Sequence, residues 1–324
     1  MRALLKTAAL AAMLAVPAAT PSVAQTYPDK PIQMMVAFPP GGSTDVAARI
    51  VAAIAEKAIG QPIVVVNKGG AGGQVGWTEM VRQKADGYYI GLINLPGMNT
   101  IIADPERQAI FNIDSFIPII NQVLDPGVMW VRADSPLKTY QDLVDAAKKA
   151  PGTVRVSTTG ILSDDHLAIL MFEEATGTTV RIVHLDGGAT QMKETLAGNI
   201  DVSFDNVGSI VKQVKGGQVR ALAVMDTQRS KYLPDVPTTK EVGAEIILSN
   251  SSRGIAAPKG TPPAVVKKLE ETFKKAMDDP EHIKKLEDAG LGLKVMIGDE
   301  YATYYKDLHA KAIKYTEWSK KRQQ

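Results

Sequence analysis

The residues best placed to do chemistry in this sequence lie in loops of glycine and hydroxyl residues. The first is AFPPGGSTDVAAR, residues 37–49. An apolar run stops at Pro39 and Pro40, and Gly41 and Gly42 then let backbone approach a ligand with no Cβ in the way. Ser43 or Thr44 supplies a helix cap, and Asp45 falls in the first helical turn. The free N–H groups of such a helix start carry partial positive charge and suit a carboxylate or phosphate. A plain strand-to-helix turn is the competing reading.

The device recurs. NKGGAGGQVG, residues 67–76, follows a short apolar strand. A dinucleotide fingerprint starting at Gly70 needs glycine where Val75 stands, so that reading fails. A concave run of backbone N–H groups around Gly70 and Ala71 fits better. STTGILSDDHL, residues 157–167, is again strand, loop and capped helix, with Thr158, Thr159, Ser163 and Asp165 as candidate contacts. His166 reads as a structural residue near the helix start, because the four histidines show no metal-ligand spacing. LDGGATQ, residues 185–191, repeats the pattern with Gly187, Gly188 and Ala189. Asp205 ends a strand beside Asn206, and Asn94 directly follows another. Four exposed helix starts, two in each half of the chain, favour anion binding over four unrelated turns.

A nucleophilic enzyme is the alternative. Ser209-x-x-Lys212 and Ser135-x-x-Lys138 match the active-serine pattern of penicillin-binding enzymes, and Ser163-Asp164-Asp165 approximates a second element. Lys259-Gly260-Thr261 has the third element in the wrong order, and Pro136 interrupts one of the S-x-x-K matches. There is no G-x-S-x-G and no cysteine. No catalytic residue, metal or cofactor is expected.

The elements that carry these loops alternate. Strand-like runs at 32–38, 63–66, 88–93, 128–131, 154–157, 181–185, 201–204 and 221–224 are separated by helical patterns at 45–58, 76–82, 137–149, 165–176, 190–197 and 210–215. Continuous apolar strands with helical crossovers predict an α/β fold of two mainly parallel sheets, each covered on both faces. Three charged amphipathic helices, 262–277, 280–289 and 299–320, pack on a sheet already formed. Two similar stretches joined by extended segments at 127–131 and 253–257 predict two lobes, hinge strands and a cleft between. Lobe 1 is expected from 25–127 and 255–324, and lobe 2 from 128–254.

The first 24 residues read as a secretory signal: Arg2 and Lys6, a short apolar centre, then small residues up to Ala24. Cleavage after Ala24 leaves 35 basic against 35 acidic residues. That balance gives no surface for nucleic acid or an anionic membrane. With no cysteine, neither disulfides nor a lipid anchor is expected, and the protein is placed in a bacterial periplasm, released and monomeric.

Taken in order, these loops resemble one family. YPDKPI, FPPGGSTDVAAR, NKGGAGGQVG, ADGYYI, SDDHLA, GGAT with LAGNIDVSFDN, GGQVRALAV, LPDVPTTKEVG and APKGTPP are similar to segments of the extracytoplasmic solute receptors of tripartite tricarboxylate transport, the Bug receptors. The resemblance covers nearly the whole mature chain. It implies a type II-like periplasmic binding protein, two-lobed, that closes on a small organic carboxylate and hands it to the membrane components of a tripartite transporter. It further implies that Pro40, Gly41, Gly42, Ser43 and Thr44 face Gly187, Gly188 and Ala189 across the ligand. The Gly70 and Thr159 loops would line the rest. One departure is Leu185-Asp186, where the family often carries an aromatic and a basic residue. With Asp165 and Asp205 as further acids, the distal cleft is expected to be acidic. A mono- or dicarboxylate bearing hydroxyl, amino or aromatic groups then fits better than a tricarboxylate.

Overall fold

The computed structural model describes residues 27–323. The expected signal segment and its cleavage point lie outside the described residues. Ten strands and ten α-helices follow in this order: β1 Ile32–Val36, α1 Ser43–Ile59, β2 Ile63–Asn67, α2 Gln74–Val81, β3 Tyr89–Leu95, α3 Gly97–Ala103, β4 Phe116–Arg132, α4 Tyr140–Lys149, β5 Arg155–Thr158, α5 Asp164–Thr176, β6 Arg181–His184, α6 Gly188–Leu196, β7 Val202–Asn206, α7 Val207–Lys215, β8 Val219–Met225, β9 Asn250–Pro258, α8 Pro263–Met277, α9 Pro280–Asp288, β10 Leu293–Ile297 and α10 Gly298–Gln323.

The first sheet runs β2-β1-β3-β9-β4, with β10 also on β4. The second runs β4-β7-β5-β6, with β8 also on β4. The long strand β4 belongs to both. It pairs with β9 as far as Pro126 and with β7 and β8 from Gly127. Parallel pairing holds for β1–β2, β1–β3, β5–β6 and β5–β7, whereas β4 and β9 run antiparallel to every neighbour. The chain leaves the first sheet along β4 and returns along β9 in the opposite direction, so each sheet is mixed.

Both sheets are three-layered. Ile32, Met34 and Val36 of β1 pack under Val51 and Ala55 of α1 and Phe273 of α8. The intervening Met35 faces the other side, against Trp77, Tyr301 and Tyr305. Alternation along one strand thus feeds two cores. In the second sheet, Met129 and Phe204 meet Ile169 and Phe172 on one face. Val128 and Trp130 meet Val207 and Ile210 on the other. The two C-terminal helices α8 and α10 cover opposite faces of the first sheet.

Helix ends follow local chemistry. Gly60 closes α1 at φ 77°, returning its N–H to the Glu56 carbonyl, and Thr139 and Asp142 form a reciprocal cap on α4. The parallel strands β1, β2, β5 and β6 all end toward one crevice between the sheets, where an open α/β fold binds its ligands.

Candidate functional site

Two helices enter that crevice with their amino ends bare. Helix α1 starts after Gly42 and α6 after Gly187, and neither has a side-chain cap. Their first-turn N–H groups have no acceptor within the helix. The two termini are in near contact: a Cβ placed on Gly42 would lie 3.7 Å from the Ala189 nitrogen. Two positive helix ends meeting at one point form a strong site for an anion.

Around them lies a narrow cleft, partly open to solvent, with a cavity volume of about 50 Å³. Of the residues expected from sequence, Gly42, Ser43, Thr44, Asn94, Thr159, Ser163, Gly187, Gly188, Ala189 and Asp205 line it. Gly41 lies on an adjoining groove. Ala71 lines a side groove with Arg107, His184 and Asp186. Pro40 is exposed at the rim. Gly70 lies outside the cleft wall, in the glycine turn that faces the Asp186 carboxylate. Where the loops of the two sheets touch, glycine meets glycine: a Cβ on Gly160 would fall 3.0 Å from the Gly72 Cα.

Three expected residues stand behind the wall. Asp45 accepts from the Gly41 N–H, from Arg49 and from Asn67, at 2.9–3.0 Å. Burial pushes its pKa up, but these donors win and hold it below the usual carboxylate value. Its work is to shape the Gly41 turn. Thr158 accepts from the Gly160 N–H and also meets the His184 ring at 2.9 Å. Asp165 takes the Thr159 hydroxyl at 2.5 Å. His166 is structural: its Nδ1 accepts the Leu162 N–H at 3.0 Å, in a loop where Leu162 sits at φ 61°. Burial, then His184, pushes His166 down to about 3, so the ring is neutral.

Arg253 is a wall residue that sequence reasoning missed. It is 1% exposed on β9. Its Nη1 donates to Asp125 at 2.7 Å, its Nη2 to Ser43 at 3.0 Å and Asn206 at 2.9 Å, and its Nε to Thr44 at 3.1 Å. One guanidinium therefore ties the start of α1 to both sheets. The available signal was a charged residue inside Ser251–Ala257, an otherwise small or apolar strand. Phe38, Trp77 and Ile161 add an apolar patch to the cleft.

The remaining charge is negative. Asp164 and Asp205 line the cleft, with Asp165 and Asp125 just behind. Asp205 accepts from the Asn206 N–H at 2.7 Å and from Ser209 at 3.0 Å. Burial pushes Asp205 up to about 7. Burial, followed by the charges of Asp164 and Asp205, holds Asp165 well above the carboxylate range. Ser209, the serine of one S-x-x-K match, lies 3.1 Å from the Ser43 hydroxyl and bonds Asp205. Among the described residues no His, Cys, Asp or Glu group could hold a metal ion, and no helix is long and apolar enough to cross a membrane.

Two α/β lobes sharing a crossing strand, with a polar cleft at the strand ends, define a solute-binding protein of the periplasmic type. Comparisons with known proteins agree. The model of the tripartite tricarboxylate transporter family receptor matches residues 47–316. Protein BugT of Bordetella pertussis is 31% identical over 264 residues, covering 80% of each chain. The structure of the periplasmic binding protein BugD superposes with a TM-score of 0.83 at 30% identity, over 91% of this chain and 98% of that one. An R. palustris protein solved with adipate shares the fold, at a TM-score of 0.84 and 24% identity, over 90% of this chain and 98% of that one. The chain belongs to the tripartite tricarboxylate transporter receptor family and is a Bug-type solute-binding receptor, in a family of receptors rather than enzymes.

Proposed function

We propose that this receptor captures a small organic carboxylate between its lobes and delivers it to the membrane components of a tripartite transporter. The carboxylate sits between the amino ends of α1 and α6, held by the amides of Gly42, Ser43, Gly188 and Ala189 and by the hydroxyls of Ser43 and Thr44. The near contact of those two uncapped helix ends, 3.7 Å from a Gly42 Cβ to the Ala189 nitrogen, carries this reading. Neutral N–H donors bind an anion without the desolvation cost of a buried lysine. A ligand touching both lobes favours closure by the contacts it makes only in the closed state. The lobes proposed to move are 25–127 with 255–324, and 128–254. The exported chain works in the periplasm as a monomer.

The test is a thermal-shift screen of the mature chain, refolded to strip bound solute, against aliphatic, aromatic, hydroxy and amino carboxylic acids. A ligand at about a hundred times its Kd adds roughly 2.7 kcal/mol of stability. A raised Tm with at least one acid is expected. A flat panel on a folded protein overturns the reading.

A further inference from the structure

The cleft has a donor-rich pole and an acceptor-rich flank. At the flank, Asp205 is 1% exposed, and its Oδ2 is buried without a hydrogen-bond partner. The other oxygen, Oδ1, is satisfied by Asn206 and Ser209. Asn94 likewise lines the cleft with an unpartnered Oδ1, its Nδ2 being given to Thr44 at 2.8 Å. The guanidinium of Arg253 is spent on Asp125, Ser43, Thr44 and Asn206. Among the described residues, no lysine or arginine forms an ion pair with Asp164, Asp165 or Asp205; the buried pair nearby is Arg253 with Asp125. In its ionised form Asp205 Oδ2 requires a donor, and a cationic one satisfies it best and offsets the burial that opposes its charge. A second carboxylate on the ligand would instead add negative charge beside acids whose ionisation burial already opposes.

The position of Asp205 sets where that donor must be. A Cβ on Gly188 would lie 2.9 Å from Asp205 Oδ2 and 3.1 Å from Ser209 Oγ. Asp205 therefore lies directly beside the residue that opens α6, the helix whose end takes the carboxylate. With glycine at 188 no side chain stands between the start of α6 and Oδ2. The donor on the ligand must then be adjacent to its carboxylate, not at the far end of the molecule.

Resting on the receptor function proposed above, we propose that the solute is an α-amino acid, its ammonium group paired with the Asp205 carboxylate beside Gly188. Binding is measured by calorimetry on the stripped mature chain with matched triples: alanine, propionate and lactate; aspartate, succinate and malate; phenylalanine, hydrocinnamate and phenyllactate. In at least one triple the amino acid is expected to bind at least tenfold tighter than both partners. Asp205→Asn keeps an acceptor for Asn206 and Ser209 and is expected to collapse that ratio toward one. Gly188→Ala, whose Cβ would fall 2.9 Å from Oδ2 and displace the Asp205 carboxylate, is expected to collapse it too. Binding in which no triple favours its amino acid over the deaminated and hydroxy partners overturns this inference and leaves the receptor reading standing. A preference that persists in folded Asp205→Asn overturns the role of Asp205. Absence of binding by every acid overturns both readings together.

Discussion

Arg253 Nη1 lies 2.7 Å from Asp125 Oδ2, and the two side chains are 2% and 0% exposed. The pair bridges β9 and β4 next to the point where β4 passes from one sheet to the other. Because Arg253 also holds Ser43 and Thr44, the amino end of α1 is positioned by a charge pair sealed in the hinge region. Burial raises the Asp125 pKa even against the attraction of Arg253. Such a pair adds little net stability over apolar packing, but removing one member leaves the other charge buried and unpaired.

Arg253→Met is therefore expected to destabilise the protein by about 3–5 kcal/mol. Pairing it with Asp125→Leu should restore part of that loss. Urea unfolding of the single and double variants measures both. A single variant within about 1 kcal/mol of the parent would show that Asp125 is easily neutralised or solvated.

Stability of the ligand-free protein should fall as pH rises above neutrality. Burial lifts Asp205 from 3.8 to about 7, and lifts Asp125, Asp164 and Asp165 as well. Arg253 opposes the rise at Asp125, Asp164 and Asp205 without cancelling it. Over that interval the folded state keeps protons that the unfolded chain has released. The contribution is thus complete below the unfolded pKa and lost as pH climbs through the folded one. The four histidines, lowered by burial, act in the opposite sense until the unfolded imidazole has lost its proton. The fall is therefore read above that point: Tm is expected to be lower near about pH 8 than near about pH 7, with a shallower slope in Asp205→Asn. A Tm that rises across this range would show the cluster to be ionised and compensated.

The site loops were legible because their chemistry is local. Gly41-Gly42-Ser43-Thr44 and Gly187-Gly188-Ala189 announce bare helix starts by residue type alone, and the structure brings both to one cleft. What was hidden depends on long-range pairing. Arg253 reads as part of a hinge strand, and its partners Asp125, Ser43 and Asn206 are far away in sequence. The first half of β4 was missed because Pro118 and Pro126 argue against a strand. Register shifts between Pro118 and Ile120 and between Asn121 and Val123 accommodate the break in pairing. Strand β10 escaped because Leu293–Ile297 is short and contains Lys294, and its partner is again β4. Asp45 looked like a cleft residue from its place in the first turn, yet its carboxylate is taken by Gly41, Arg49 and Asn67.

Asp186 lies in the side groove, its carboxylate against the opposite glycine loop, where a Cβ on Gly69 would fall 3.0 Å from Oδ2. Burial raises its pKa. The contact joins the loops that follow β2 and β6, one from each sheet. Asp186→Ala is expected to weaken every ligand by a similar factor, up to about tenfold, or about 1.4 kcal/mol. Ratios among ligands should not change. A changed ranking would place Asp186 in contact with the solute.

Gly42 offers the sharpest separation of binding from folding. Its φ of −75° and ψ of 166° are open to any residue, so a side chain there strains no backbone. The space is different: the Cβ direction leads to the Ala189 nitrogen, at 3.7 Å from the Cβ itself. A single methyl fits, and a branched chain does not. Gly42→Leu is expected to hold the amino ends of α1 and α6 apart and occupy the carboxylate position. Affinity should fall more than about a hundredfold, worth about 2.7 kcal/mol or more, while ligand-free stability stays within about 1 kcal/mol of the parent. Gly42→Ala should keep measurable binding. Calorimetry with any acid that binds the parent, alongside urea unfolding, reads both quantities. Retained affinity in folded Gly42→Leu would move the carboxylate away from the paired helix ends.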